Sequence, residues 1–227
     1  MMAQALAEPT SGPFRIKDCA LIAIATGRRA FTLRELREGL ADIHGDSVYY
    51  HFWGNLLEPR FEEREYNNDF AGWVRHGLHD GVLAERLAVL DPTDFAELDA
   101  LREELVDTVE ERLEESEYLP WVRASRPFEF TRSQIVVFDT GKRAAHAEEL
   151  ARLVPSFSTG SIFYHFIDAR RRVGGGHDDF SAWLASLEED HAELRARLAA
   201  IDPYFGSLTE LRGNLTAAFQ AHFAGAG

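Results

Sequence analysis

Cysteine is almost missing from this sequence: Cys19 is the single one in 227 residues. One thiol allows no disulfide framework within the chain, so stability must come from an apolar core, and a reducing cytoplasm fits such usage. Cys19 lies in the apolar run CALIAIA and reads as a buried free thiol. Lysine is nearly as scarce. Only Lys17 and Lys142 accompany the arginines among 24 basic residues, against 38 acidic ones, for a formal charge of −14. A field of that sign repels phosphate, which disfavours nucleic acid and anionic membrane surfaces as partners. Long apolar runs are lacking too, since nothing approaches the ~18 residues of a membrane helix. The N-terminal stretch MMAQALAEPTSGPF has no basic region followed by an apolar one. These absences describe an acidic, cytoplasmic protein without a membrane span.

What is abundant is apolar and aromatic: 45% of the residues are hydrophobic, with 16 Phe, 4 Trp and 6 Tyr, enough for a sizeable core. The stretch GDSVYYHFWGN (residues 45–55) has a counterpart in TGSIFYHFIDA (159–169), 114 positions later. Phe14 and Phe128, TGRRA (26–30) and TGKRA (140–144), and Glu35-Leu36 and Glu149-Leu150 keep that offset. Further on, NDFAGW (68–73) corresponds to DDFSAW (178–183), and LAVLDP (87–92) to LAAIDP (198–203). The pattern is read as a tandem duplication of a helical domain of ~105 residues with pseudo-twofold packing: a first repeat over 14–116, a linker at 117–127 and a second repeat over 128–222.

Within each repeat the signals are mainly helical, with one or two short strands expected. Thr32 and Glu35 form a capping box, with Phe31 and Leu36 as a hydrophobic staple. Phe70, Trp73, Val74 and Leu78 share a helical face, as do Phe180, Trp183, Leu184 and Leu187, with Asp69 and Asp179 placed as N-caps. Asp94 with Glu97, and Ser207 with Glu210, read as capping boxes of a long last helix. FRIKDCALIAIATG and FEFTRSQIVVFDTG fit either a strand or a buried helix.

Candidate chemistry is sparse. His51 and His165 occupy matching places and read as structural histidines bonded to Asp69 and Asp179, with ligand binding or proton transfer as the functional alternative. Tyr50 and Tyr164 beside them, and Arg170, Arg171 and Arg172 in DARRRVGGGHDD, complete the candidate binding residues. The arginines either contact an anion or a partner, or neutralise nearby carboxylates. His76, His79 and Asp80 form a His-Asp cluster of the kind that binds metal, although the second half has Glu189-Asp190 there and further ligands are not evident. TGKRA is not a phosphate loop, because Val136 stands where the first glycine belongs. No cofactor and no catalytic set emerges from spacing.

FSTGSIFYHF (157–166) resembles the turn and recognition helix of TetR-type repressors over about ten residues. A recognition helix needs exposed polar side chains, and Ile162, Phe163, Tyr164 and Phe166 are packing residues. A broader resemblance, carried by YYHFW, NDFAGWVRHGLHDGVLAERLAVLDP, SQIVVFDTG and FYHFIDARRR, is to the prokaryotic family of unknown function numbered 5752. It implies no assigned activity, and an accessory role beside carbohydrate-active enzymes. The leading expectation is a non-enzymatic binding or scaffold protein with a protein or small-molecule partner, compatible with a homo-oligomer. The alternatives are a metal-dependent enzyme using His and carboxylate residues, and a helix-turn-helix DNA-binding regulator.

Overall fold

Two long strands run against the expectation from the sequence. The computed structural model describes residues 12–57, 65–204 and 206–224. β1 spans Phe14–Thr32 and β2 spans Arg123–Ala144, and together they form a two-stranded antiparallel sheet. Both segments whose strand or helix state the sequence left open are therefore strands. The chain is 59% helical and 20% strand.

Between the strands lie α1 (Leu33–Asp42), α2 (Gly45–Trp53), α3 (Asp69–Trp73), α4 (Gly81–Ala88) and α5 (Leu98–Glu114). After β2 come α6 (Ala147–Leu153), α7 (Thr159–Ile162), α8 (Ala169–Arg172), α9 (Asp179–Leu184), α10 (Ala192–Ala199) and α11 (Leu208–Ala224). A π-helical stretch, Phe163–Asp168, joins α7 to α8 without leaving helical dihedrals. Another, Val74–Leu78, extends α3 and stops at His79 in the left-handed region. No helix among the described residues is long and apolar enough to cross a membrane.

The chain divides into two compact units, one of residues 1–20 with 136–227 and one of residues 21–135. This corrects the reading of a mainly α chain built as a tandem duplication with pseudo-twofold packing. The units are not two successive helical blocks: the first is assembled from both ends of the chain.

In the unit of residues 21–135, Thr32 caps α1 in the capping box expected for it. Leu33, Leu36 and Leu40 of α1 are fully buried, as are Leu105 and Val109 of α5. Gly39 is required where α1 meets the ribbon, because a Cβ there would enter the Phe130 ring. Phe70, Phe128, Phe130 and His51 form an aromatic cluster, with Phe70 and Phe128 stacked at 5.0 Å and His51 4.6 Å from Phe128. Trp73 is only half-buried and donates from its indole to the Arg126 carbonyl at 2.9 Å.

In the other unit Phe14, Phe180, Trp183 and His165 form a comparable cluster, and the Trp183 indole donates to the Gly12 carbonyl at 3.0 Å. Leu187, expected on the face of α9, lies beyond its end. Ser207 and Glu210 form the expected capping box before α11, with bonds of 2.8 and 3.1 Å. The Asp94–Glu97 box does not form. Asp91 instead caps a 3-10 turn, Pro92–Asp94, and α5 starts at Leu98 after Glu97, which makes no side-chain cap.

Candidate functional site

The two histidines that the sequence singled out are each held at both ring nitrogens. His165 is 2% exposed. Its Nε2 accepts the backbone N–H of Lys17 at 2.9 Å, so that nitrogen carries no proton. The proton then sits on Nδ1, which donates to Asp179 Oδ2 at 2.7 Å. His51, 3% exposed, does the same in the other unit. Its Nε2 accepts from the Thr131 N–H at 3.1 Å and its Nδ1 faces Asp69 Oδ2 at 2.9 Å. Each ring thus clips a helix to a strand of the ribbon inside its own unit.

The helix starts explain how the carboxylates reach these rings. Asp69 and Asp179 are not the N-caps. Asn68 caps α3 and Asp178 caps α9, each accepting the N–H three residues on, at 2.9 and 2.8 Å. The following aspartates are thereby free to point at histidine. Burial pushes the Asp178 carboxyl above its usual range, against its bonds from Ser181. Asp69 also accepts from the Asn55 amide.

Around His165 the arginines complete a network. Asp168 is 1% exposed and is gripped by Arg171 at 3.0 Å and Arg172 at 2.6 Å. Arg172 reaches on to Asp179 Oδ2 at 3.1 Å and to the Tyr164 carbonyl at 2.9 Å, its guanidinium 3.9 Å from the centre of the Tyr164 ring. Burial works against the Arg172 charge, but Asp179, Tyr164 and Asp168 outweigh it and hold its pKa above the ordinary value. Arg170 lies 4.8 Å from the centre of the Phe166 ring and donates to the Phe166 carbonyl. Tyr164 is buried, which raises its phenol pKa, whereas Tyr50 is half-buried and covers Gly54. Neutralisation of nearby carboxylates was one of the two readings of these arginines, though Asp168 was not singled out as the acid, despite standing three and four residues before two of them on one helix.

Cys19 is also in this unit, donating from Sγ to the Gly160 carbonyl at 3.3 Å. Burial first, then the Asp168 and Asp18 carboxylates, push its thiol up to about 12. It is a protonated thiol at neutral pH and not a nucleophile.

The alternative metal residues do not converge. His76 faces Glu65 at 3.0 Å on the surface, and His79 makes a left-handed turn. Asp80 is buried, caps α4 through the Leu83 N–H and takes a two-pronged bond from Arg112 at 2.9 and 3.2 Å. Among the described residues no group of three His, Cys, Asp or Glu is placed to hold a metal ion. A shallow groove of about 660 Å³ lies on α6 and α11, lined by Glu148, Arg152, Gln220 and Phe223 among others.

Comparison with known proteins gives a family and a fold. Residues 11–220 match the family described as "Family of unknown function (DUF5752)". A solved structure, "The structure of OrfY from Thermoproteus tenax", is similar with a TM-score of 0.81 and 27% identity, over 94% of this chain and 97% of that one. One solved chain thus matches the fold over 94% of this chain, which further sets aside the reading as a duplicated ~105-residue domain. No curated protein matches.

Proposed function

The chain belongs to the DUF5752 family, whose function is unknown, and from that premise we propose a non-enzymatic binding or scaffold protein, accessory to carbohydrate metabolism. One observation carries the reading. In the two His–Asp pairs, the parts of the molecule closest to a catalytic dyad, the outer nitrogen is occupied by a backbone N–H at 2.9 and 3.1 Å. A general base needs that lone pair within reach of a substrate proton, and a metal ligand needs it free. Here it secures the ribbon. The arginines of 170–172 are turned to carboxylates, carbonyls and rings of their own unit, and Ile162 to Phe166, within the stretch likened to a recognition helix, are buried. Both features favour binding through another surface.

The test is metal analysis of untagged protein together with its thermal unfolding. The reading expects substoichiometric metal and a melting temperature that EDTA leaves unchanged. Stoichiometric metal lost on His76→Ala or Asp80→Asn substitution, with EDTA lowering the melting temperature, would establish the metal-dependent alternative.

A further inference from the structure

The turn that follows α5 displays two aromatic rings to solvent. Tyr118 is 82% and Trp121 81% exposed, in a molecule whose Trp53 and Trp183 are 5% and 3% exposed. A Trp or Tyr side chain carries roughly 150–250 Å² of surface, and leaving two in water three residues apart on one turn is unfavourable unless something covers them. The turn is closed by its own backbone bonds. The Trp121 N–H donates to the Tyr118 carbonyl at 3.0 Å and the Val122 N–H to the Leu119 carbonyl at 3.2 Å, and Pro120 fixes the dihedral between them. Rings presented on a prepared turn lose little freedom on association, which is the condition for binding hot spots.

The electrostatics around the rings point to the partner. Glu111, Glu114, Glu115 and Glu117 lead into the turn and are all exposed. Glu115 is taken by Arg86 and Arg112 at 2.8 and 2.9 Å, while no described cation pairs with Glu114 or Glu117. The nearby Arg123 is spent on the Phe31 ring at 4.2 Å and on Glu35 at 4.0 Å. The aromatic pair therefore has an acidic margin on a chain of net charge −14. A second copy would bring the same acids together and be repelled, whereas a cationic surface would be drawn in.

Resting on the binding reading above, we infer that Tyr118 and Trp121 dock a partner protein that offers an apolar helix face flanked by basic side chains. The probe is a synthetic helical peptide with leucines on one face and arginines on the other, and its binding to the full chain is followed by anisotropy at low and high salt. Wild-type protein should bind it with salt-dependent affinity. Tyr118→Ala/Trp121→Ala should weaken binding at least ~10-fold, and Glu114→Gln/Glu117→Gln ~3-fold with a shallower salt dependence. Both double variants should keep the wild-type melting temperature, because the side chains are exposed. Four results would overturn the inference: no peptide binding by wild type; undiminished binding by the aromatic double variant; equal binding of a peptide with glutamates in place of the arginines; or self-association of wild type that the aromatic variant abolishes. Quenching of Trp121 by a neutral oligosaccharide without peptide binding would assign the turn to sugar instead. Undiminished binding by the aromatic variant removes this site but leaves the binding reading intact, whereas stoichiometric metal with turnover removes that reading and leaves the peptide result standing.

Discussion

At the scale of the residue, each histidine is simultaneously a donor and an acceptor, and substitutions should show both roles. Glutamine can still donate to Asp69 or Asp179 and leave an oxygen near the strand N–H. Leucine strands a carboxylate and a buried amide together. His51→Leu and His165→Leu should therefore cost about 1–3 kcal/mol more than the corresponding Gln variants in denaturant unfolding. Equal tolerance of Leu and Gln would mean the clips contribute nothing. The His–Asp half of each clip was legible, since Asp69 and Asp179 follow at short separations. The other half was not, because the Lys17 and Thr131 amides lie 148 and 80 residues away and no spacing points to them. Cys19 supplies a prediction in pH. Its folded value of about 12 stands above the 9.0 of a free thiol. The neutral form is thus favoured by the fold, so its contribution is complete below pH 9 and is lost as pH rises from 9 toward about 12. Stability against pH should fall across that window, and Cys19→Ala should flatten the fall. A thiol in the native chain that reacts quickly with disulfide reagents at neutral pH would contradict the burial.

At the scale of the element, close approach of backbones makes one glycine indispensable and leaves another replaceable. A Cβ on Gly160 of α7 would lie 2.5 Å from the Cys19 carbonyl oxygen and also strike the Asp18 carboxylate. Backbone cannot give way as a side-chain tip can, so Gly160→Ala should destabilise by about 1–3 kcal/mol. Gly72 in α3 has nothing within 4 Å of such a Cβ, and Gly72→Ala should stabilise by roughly 0.5–1 kcal/mol through helix propensity. Phe52 and Phe166 are 1% and 0% exposed, and replacing either by Ala should cost about 3–5 kcal/mol. Thermal or urea unfolding reads all four. Helix starts with a hydroxyl cap and a following glutamate were legible, as at Thr32 and Ser207. The pattern misled at Asp94, where Asp91 and Pro92 organise their own turn and use up the residues that a helix start would need. The caps of α3 and α9 were misplaced by one residue because two polar residues stand together in each, and only the fold shows which one turns toward histidine.

At the scale of the molecule, likeness at a fixed offset shows which residues resemble one another and not which segments pack together. Neither the long strands nor the pairing of β1 with β2 was legible for that reason. FRIKDCALIAIATG satisfies a buried helix and a strand equally until a partner strand more than 90 residues away is in place. Net charge acts on the whole as well. At −14 the folded chain repels itself, so raising ionic strength should increase the melting temperature by a few degrees, about 1 kcal/mol of screening. A melting temperature independent of salt would mean that the acids are locally compensated. The histidines at the ribbon are structural, each with its proton on Nδ1 and its Nε2 held by a strand amide. Long-range ¹H–¹⁵N correlation of the imidazole rings in the intact protein measures this directly. Of the nine histidines, His51 and His165 should carry their proton on Nδ1 with Nε2 unprotonated, and are identified by their loss in the Gln variants. Nε2–H tautomers, or two rings in free exchange between tautomers, would contradict it.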